Sequence, residues 1–560
     1  MVNDTAVGPI PAELLSWIPP VMLLLSLGAA MAIFPLREDR VRLRTTVNIG
    51  AAVLKIALVV VLVPAVIIAG LQPEFAVPFL PGIDLVLRVD RLSLFFAALS
   101  SFLWLLTTMY AVGYLEGKPS RSRFFGFFSL CVTATVGISF SGNLVTFLIF
   151  YELLTVVTYP LVAHWGTPKA LHAARIYLRY ALGGGLAVLI GVVWLTIYAG
   201  PVDFAEGGAE GVTELARHSP GVAALIFALL VGGMAVKAAL FPLHGWLPGA
   251  MVAPAPVSAL LHAVAVVKAG VFGIVRVVDD VYGIHVASEL GVLTPLLIVA
   301  CFTILYGSYQ ALRQEDLKKR LAYSTVSQVS YVVVGISLVT LAGTTGGVVH
   351  LVHQGLMKIT LFFCAGLFAE VLGITKLSQM HGLGRRMPWT SAAFTVGAFG
   401  MIGLPVTAGF VSKWMLGLGA LESEHPWVVG VLIASSLLNA MYFLPVVYRM
   451  WFREPADPDA SPVTPEDGSA AGSATSTAGS EDDSAAESED GTPAASDSNT
   501  ATSDGSTAAR PGATVVVREP ASLLVPTVIT AAASVFVGLA ASLEFAPLQI
   551  ARQIAEGVLG

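Results

Sequence analysis

About fourteen apolar stretches of roughly 20 residues follow one another along this chain of 560 residues, separated by short polar loops. They lie near 14–34, 45–70, 92–114, 124–141, 143–164, 174–199, 221–243, 255–278, 289–310, 321–342, 345–372, 390–418, 427–450 and 522–543. Within lipid every backbone donor and acceptor must be satisfied inside the segment, so stretches of this length read as membrane-crossing helices. The chain is 56% hydrophobic and 12% charged, where soluble domains carry about 25% charged residues, which makes it an integral, all-α polytopic membrane protein.

Loop charges give an independent check on the count, because Lys and Arg concentrate in short cytoplasmic loops. Arg37, Arg40, Arg42 and Arg44 follow the first span; Lys118, Arg121 and Arg123 the third; Lys169 and Arg175 the fifth. Arg313, Lys318, Lys319 and Arg320 follow the ninth, and Lys376, Arg385 and Arg386 the eleventh, so every cluster falls in an odd-numbered loop. Even-numbered loops lean acidic, with Asp203, Glu206, Glu210 and Glu214, then Asp279, Asp280 and Glu289, then Glu422 and Glu424; Arg88 and Arg91 are the exception. This alternation predicts both termini outside and an even number of helices. The short polar N-terminal start lacks the basic region of a signal peptide, so the first apolar run counts as a span. Between Glu454 and Ala509 the composition turns to Ser, Ala, Thr, Gly, Asp and Glu without Lys or Arg, which predicts a disordered acidic linker on the cytoplasmic side, a spacer or else a docking segment.

Charges inside the spans narrow the function. An ionisable group at membrane depth costs about 2.5 to 3.5 kcal/mol on insertion scales and normally faces a protein or water interior, where it marks an ion path. Glu152 stands in the middle of the fifth span; the bland alternative is a polar clamp between helices. Lys237 lies in an apolar run interrupted by Pro242 and Pro248, and Lys268 follows Pro254 and Pro256. Broken helices are tolerated at that depth only where they line a buried or wet cavity. His262 is six residues before Lys268, so on one ideal helix the two point to different sides, as in a relay rather than a metal site. The eleventh span carries His350, His353 and Lys358, with both histidines on one face; polar packing and metal binding are the rival readings, although no Asp, Glu or Cys lies at ligand spacing. In the twelfth, Gly403, Pro405 and Gly409 weaken the helix just before Lys413. Lys237 and Lys413 thus occupy corresponding places in spans 4–8 and 9–13. Five helices per copy force the second copy to be inverted, and paired broken helices point to a transport site. Lys55 in the second span fits no such scheme and reads as snorkelling toward the cytoplasm.

Cys131, Cys301 and Cys364 sit singly in apolar runs, and no glycine-rich dinucleotide fingerprint is present, so no cofactor or metal is expected on this chain, nor any nucleic-acid partner.

The segments YELLTVVTYPLV, KAALFPLHGWLPGAMVAPAPVSALLHAVAVVKAG, LKKRLAYSTVSQVSYV, HLVHQGLMKITLFF and GLPVTAGFVSKW resemble the proton-translocating antiporter-like membrane subunits shared by respiratory complex I, membrane-bound hydrogenases and Mrp-type cation/proton antiporters. The resemblance covers spans 3–13 and is nearest to the D-type member of multisubunit Mrp antiporters. It implies that Glu152 is the essential glutamate of the fifth helix, Lys237 the central lysine of the broken seventh and Lys268 the relay lysine of the eighth. It further implies that His350, His353 and Lys358 form the polar eleventh helix and that Lys413 exchanges protons with one side of the membrane. Gln328 stands where some members have histidine, leaving the central relay more dependent on water. The implied organisation is an N-terminal unit over 1–122, repeats over 123–280 and 281–452, the linker over 453–518 and a last helix with a short tail over 519–560. The implied function is a subunit of a multisubunit Na+/H+ antiporter in the plasma membrane, working with other membrane subunits. A pumping subunit of a redox complex is the alternative, with any redox cofactor on its partners.

Overall fold

The computed structural model describes residues 11–454 and 516–559. After a short turn of helix, α1 (Ile18–Ile33) and α2 (Val41–Val63) form an antiparallel pair, and a hairpin of β1 (Glu74–Leu80) and β2 (Ile83–Arg88) leads into α3 (Arg91–Tyr114). There follow α4 (Arg121–Phe140), α5 (Leu144–Val162), α6 (Pro168–Ala199), α7 (Pro220–Ala238), α8 (Ala255–Ala263) and α9 (Val266–Arg276). The longer helices that follow are α10 (Leu293–Leu312), α11 (Leu317–Ser337), α12 (Leu341–Leu372), α13 (Pro388–Ile402), α14 (Ala408–Glu422), α15 (Val428–Phe452), α16 (Ala521–Leu539) and α17 (Pro547–Leu559), with short helices such as Glu210–His218 in the connections.

Twelve of the described helices are long and apolar enough to cross a membrane, against the expected fourteen segments. The two segments that fall short do so for physical reasons. Along α11 the run Ser324, Thr325, Ser327, Gln328 and Ser330 makes the helix polar, and all five are buried. The segment expected at 390–418 is two helices of 15 residues each, α13 and α14.

Local sequence explains where the helices begin. Asp90, Asn143, Thr167, Asp316 and Thr340 each cap a first turn, accepting from Ser93 N, Thr146 N, Ala170 N, Lys319 N and Gly343 N. Pro168, Pro220 and Pro388 occupy first helical positions, where no N–H is needed. The hairpin was not expected. Its Pro81–Gly82 turn is visible in the sequence, but its residues are mostly exposed, so no buried face gives the alternation that would announce it.

The core lies around α8, α9, α11 and α12. The span Ala255–Tyr282 is buried along its whole length, whereas α2, α6 and α15 expose apolar side chains such as Leu54, Leu186 and Leu437. Asp279 and Asp280, read from the sequence as loop acids, are buried in a π-helical continuation of α9, Val277–Tyr282. There Arg276 Nη1 lies 2.5 Å from Asp280 Oδ2 and 2.8 Å from Asp90 Oδ2, locking α9 to the start of α3. The exceptional Arg88 and Arg91 are also matched by acids, Glu74 at 2.6 Å and Glu206 at 3.7 Å.

The expected acidic linker lies outside the described residues except at its edges. At its far edge, the Val517 amide donates to Arg386 O (2.9 Å) and the Glu519 carboxylate accepts from the Trp389 and Thr390 amides, closing the N-terminus of α13. The tail is the amphipathic α17, which buries Ala551, Ile554, Ala555 and Val558 on one stripe against α12 and α3.

Candidate functional site

Lys237 occupies the last turn of α7, which ends at Ala238 because Ala239 turns left-handed, φ 57°. The chain then departs from helical geometry until a short helical turn at Trp246. A break in a membrane helix strands carbonyls, and here the Trp246 indole donates to Val236 O at 2.7 Å, while the freed Phe241 amide finds Thr303 Oγ1 at 3.1 Å. With Val236 O taken, the Lys237 ammonium crosses to α5, where it donates to Tyr151 O and lies 3.2 Å from the centroid of the Tyr151 ring. Lys237 is 1% exposed.

Glu152 is the next residue on α5, yet it forms no ion pair with Lys237 within 4 Å. Its Oε1 is buried and has no hydrogen-bond partner. Gly185 on α6 makes room for it, since a Cβ there would collide with Oε1.

His262 and Lys268 do not share one ideal helix. The segment is interrupted at Val264 and Ala265, with His262 at the end of α8 and Lys268 in the first turn of α9, so the angle expected between them does not apply. His262 packs its ring 4.6 Å from that of Phe362 and has no partner at either nitrogen. Lys268 donates to Leu351 O of α12 at 2.8 Å, beside His350.

On α12, His350 Nδ1 is 2.8 Å from Ser412 Oγ of α14, and its ring stacks on Tyr331 at 5.2 Å. His353 and Gln354 are buried without partners, as is the amide of Gln328 on α11. Buried polar groups without a protein partner mark places for water. Lys358 donates to Ser324 Oγ at 2.7 Å and Leu321 O at 3.1 Å. Ser324 Oγ lies 2.9 Å from Tyr442 Oη, the Tyr442 hydroxyl donates to Asn439 Oδ1, and Asn439 Nδ2 donates to Met401 O at 3.2 Å. Met401 O also accepts from Lys413 Nζ at 2.9 Å, so one hydrogen-bonded string joins Lys358 to Lys413.

Lys413 holds the second break together. Besides Met401 O it donates to Ile402 O at 2.9 Å and to Ser436 Oγ at 3.2 Å, filling the carbonyls that the end of α13 leaves open. Gly403, at φ 91°, ends α13, and a Cβ there would lie 2.8 Å from Lys413 Cδ, so this glycine is required both by its backbone and by the close approach of the lysine. Lys413 is half-buried in an otherwise apolar recess of about 540 Å3 between α14 and α15, lined by Phe410, Trp414, Leu432 and Ile433.

None of Lys237, Lys268, Lys358 and Lys413 has a carboxylate within 4 Å among the described residues. Each donates instead to neutral carbonyls or hydroxyls. An ion pair would pin the proton on the amine, whereas a neutral acceptor holds the side chain in either charge state. The sequence singles out the charged residues inside the spans but not the groups they touch, Tyr151, Trp246, Ser324, Ser412, Asn439 and Tyr442. No pattern marks these as special, because serines, tyrosines and asparagines are common in membrane helices and only their neighbours distinguish them.

A family model described as "NADH:quinone oxidoreductase/Mrp antiporter, TM" matches residues 141–439, and one described as "NADH-Ubiquinone oxidoreductase (complex I), chain 5 N-terminus" matches 81–125. NADH-quinone oxidoreductase subunit N of Desulforudis audaxviator is 35% identical over 386 residues, 68% of this chain and 75% of that protein. The putative antiporter subunit mnhA2 of Staphylococcus haemolyticus is 32% identical over 373 residues, 62% of this chain but 45% of that one. NAD(P)H-quinone oxidoreductase chain 5 of Synechocystis is 34% identical, over 65% of this chain and 53% of its own length, so the chain spans about half of these two relatives. Among solved structures, a chain of the Mrp complex from Dietzia sp. DQ12-45-1b has the same fold, with a TM-score of 0.77 at 23% identity over 98% of this chain and 99% of that one.

Proposed function

We propose, since the chain belongs to the NADH:quinone oxidoreductase/Mrp antiporter family of membrane subunits, that it is the proton-translocating subunit of a multisubunit monovalent cation/proton antiporter. Protons pass along Glu152, Lys237, Lys268, His350, His353, Lys358 and Lys413, and Na+ moves the other way through the assembled complex. The observation that carries this reading is the hydrogen-bonded string from Lys358 through Ser324, Tyr442 and Asn439 to the carbonyl that also holds Lys413. It holds the last two lysines in one polar network that ends at the recess beside Lys413; because Met401 O accepts from both Asn439 and Lys413, the proton crosses that last stretch on water rather than through the amide groups.

Each lysine offers a lone pair when neutral and a proton when charged. A proton arriving on Glu152 removes the charge that favours ammonium at Lys237, so Lys237 releases its own proton toward Lys268 and the unpartnered groups His353, Gln354 and Gln328, where water bridges the remaining gaps. The two stretches 123–280 and 281–452 act as inverted halves, each contributing one broken helix with its lysine. The complex sits in the plasma membrane with both termini outside and 453–518 in the cytoplasm.

The likeness to NADH-quinone oxidoreductase subunit N favours a second reading, a pumping subunit of a redox-driven complex. The two separate in inverted vesicles carrying all subunits of the complex. Under the antiporter reading, adding Na+ dissipates a preformed pH gradient. A gradient that ignores Na+ but is built by an electron donor assigns the chain to the redox complex instead.

A further inference from the structure

Lys55 takes no part in the string of lysines, and it does not snorkel. It lies in the middle of α2, 0% exposed, about 16 Å along the helix from Arg44. Its ammonium meets one hydrogen-bond acceptor, Ser26 Oγ of α1 at 2.8 Å, and the face of Trp104 of α3 at 4.9 Å. Among the described residues no carboxylate lies within 4 Å of it, and no charged side chain of α1, α3 or α4 hydrogen-bonds or pairs with it. A lysine serving only to tie α1 to α2 would do so at lower cost as a neutral amide, since two of its three ammonium N–H groups find no protein acceptor.

A polar column connects this lysine to one membrane face. Ser26 Oγ also accepts from Thr133 Oγ1 of α4 at 2.9 Å, and one turn along α4 Ser129 Oγ donates to Asn48 Oδ1 of α2 at 2.9 Å. Asn48 Nδ2 donates to Arg44 O at 3.3 Å, Arg44 Nη1 donates to Ser122 Oγ at 2.9 Å, and Arg44 lies 4.0 Å from the exposed carboxylate of Glu38, which also pairs with Arg121. On the other side, Ser100, Trp104 and Thr108 repeat every four residues along one stripe of α3 with Ser101 beside them. The polar side-chain atoms of all four are buried without partners. Unpartnered polar atoms gathered on one stripe beside a buried amine form a place for ordered water. The first four helices thus have a polar interior of their own, apart from α8, α9 and α12.

We propose that Lys55 is a separate proton-binding station, reached by water from the face that carries Glu38, Arg44 and Arg121, and loaded and emptied during turnover. Loading adds one proton from water to the Nζ lone pair, and the ammonium is held by Ser26 Oγ and the Trp104 ring. Unloading returns that proton to water, so only an N–H bond forms and breaks. This inference rests on the proton-moving reading given above, and the experiment separates the two.

The assembled complex in inverted vesicles is compared across pH as wild type, K55M, K55R, N48L and K237A. Neither Met nor Arg exchanges a proton near neutral pH. K55M and K55R are expected to lower transport by about tenfold and to flatten its pH profile at unchanged complex content, and N48L, which keeps Lys55 but obstructs the column, to do the same. Wild-type rates and pH profiles in K55R and N48L overturn the proposal even if K55M fails to assemble. An active K237A defeats the main pathway instead, whereas an inactive K237A beside unaffected K55R and N48L defeats Lys55 alone. In a background with the three native cysteines replaced by alanine, K55C is expected to react with a small charged thiol reagent supplied on the Glu38 side. Lack of reaction overturns the water access.

Discussion

Both broken helices carry a lysine, but they satisfy their stranded carbonyls in opposite ways. At the end of α7 the Trp246 indole takes Val236 O, and Lys237, released from capping, reaches the neighbouring helix at Tyr151 O. At the end of α13 no tryptophan serves, and Lys413 itself caps Met401 O and Ile402 O. The first lysine is sealed inside the protein; the second stands in a recess lined by Trp414 and Leu432. One device therefore leaves one lysine enclosed and the other beside a recess, which the proposed path uses as an interior station and an outlet. The difference lies in who fills the carbonyls, which decides how far the lysine can move without leaving backbone groups unpaired.

The largest effect is expected from K237A, which removes the interior station while leaving its break capped by Trp246. Transport in vesicles should fall by about 100-fold or more at normal assembly. Activity retained in K237A would end the parallel between the two lysines. W246F comes next: it removes one of the two donors to Val236 O, the other being the Ala239 amide, and leaves a void beside the smaller ring; it should cost about 1 to 3 kcal/mol, read as a lowered melting temperature of the detergent-solubilised complex. The same variant bears on the comparison, because Val236 O then has one acceptor position open on Lys237's own helix end, as Met401 O and Ile402 O are to Lys413, and transport should slow. G403A places a side chain at φ 91° against Lys413 Cδ and should cost about 1 to 3 kcal/mol with loss of transport. An unchanged melting temperature would show that the second break is not held as described. The smallest effect is expected from S436A, which removes one of three acceptors of Lys413 in a recess open to replacement by water; a change below about 1 kcal/mol and near-normal transport are anticipated.

Much of the fold was legible because it rests on local sums. An apolar run near 345–372 is long enough to span wherever it is placed, and it does form the long helix α12. The break expected in the segment at 390–418 is present as two half-helices, although Gly403 and Pro405 mark weakness in the sequence without fixing whether the helix bends or stops. Asp279 and Asp280 misled for a related reason: acids at the end of an apolar run look like a loop until Arg276 is seen to pair with both Asp280 and Asp90. Lys55 looked able to snorkel because distance along a helix is readable and the side of the helix that faces its neighbours is not.

By itself, then, the sequence determined a many-helix membrane protein with Glu152, Lys237, Lys268, His350, His353, Lys358 and Lys413 inside its spans. The cost of placing charge in lipid makes such residues conspicuous one at a time. Only the tertiary structure decided what each of them touches. Ser324 and Tyr442 are separated by 118 residues, and Lys237 and the carbonyl of Tyr151 by 86. The proposed proton path depends on those contacts, and they exist only after the helices have packed and the broken ends have found groups to fill them.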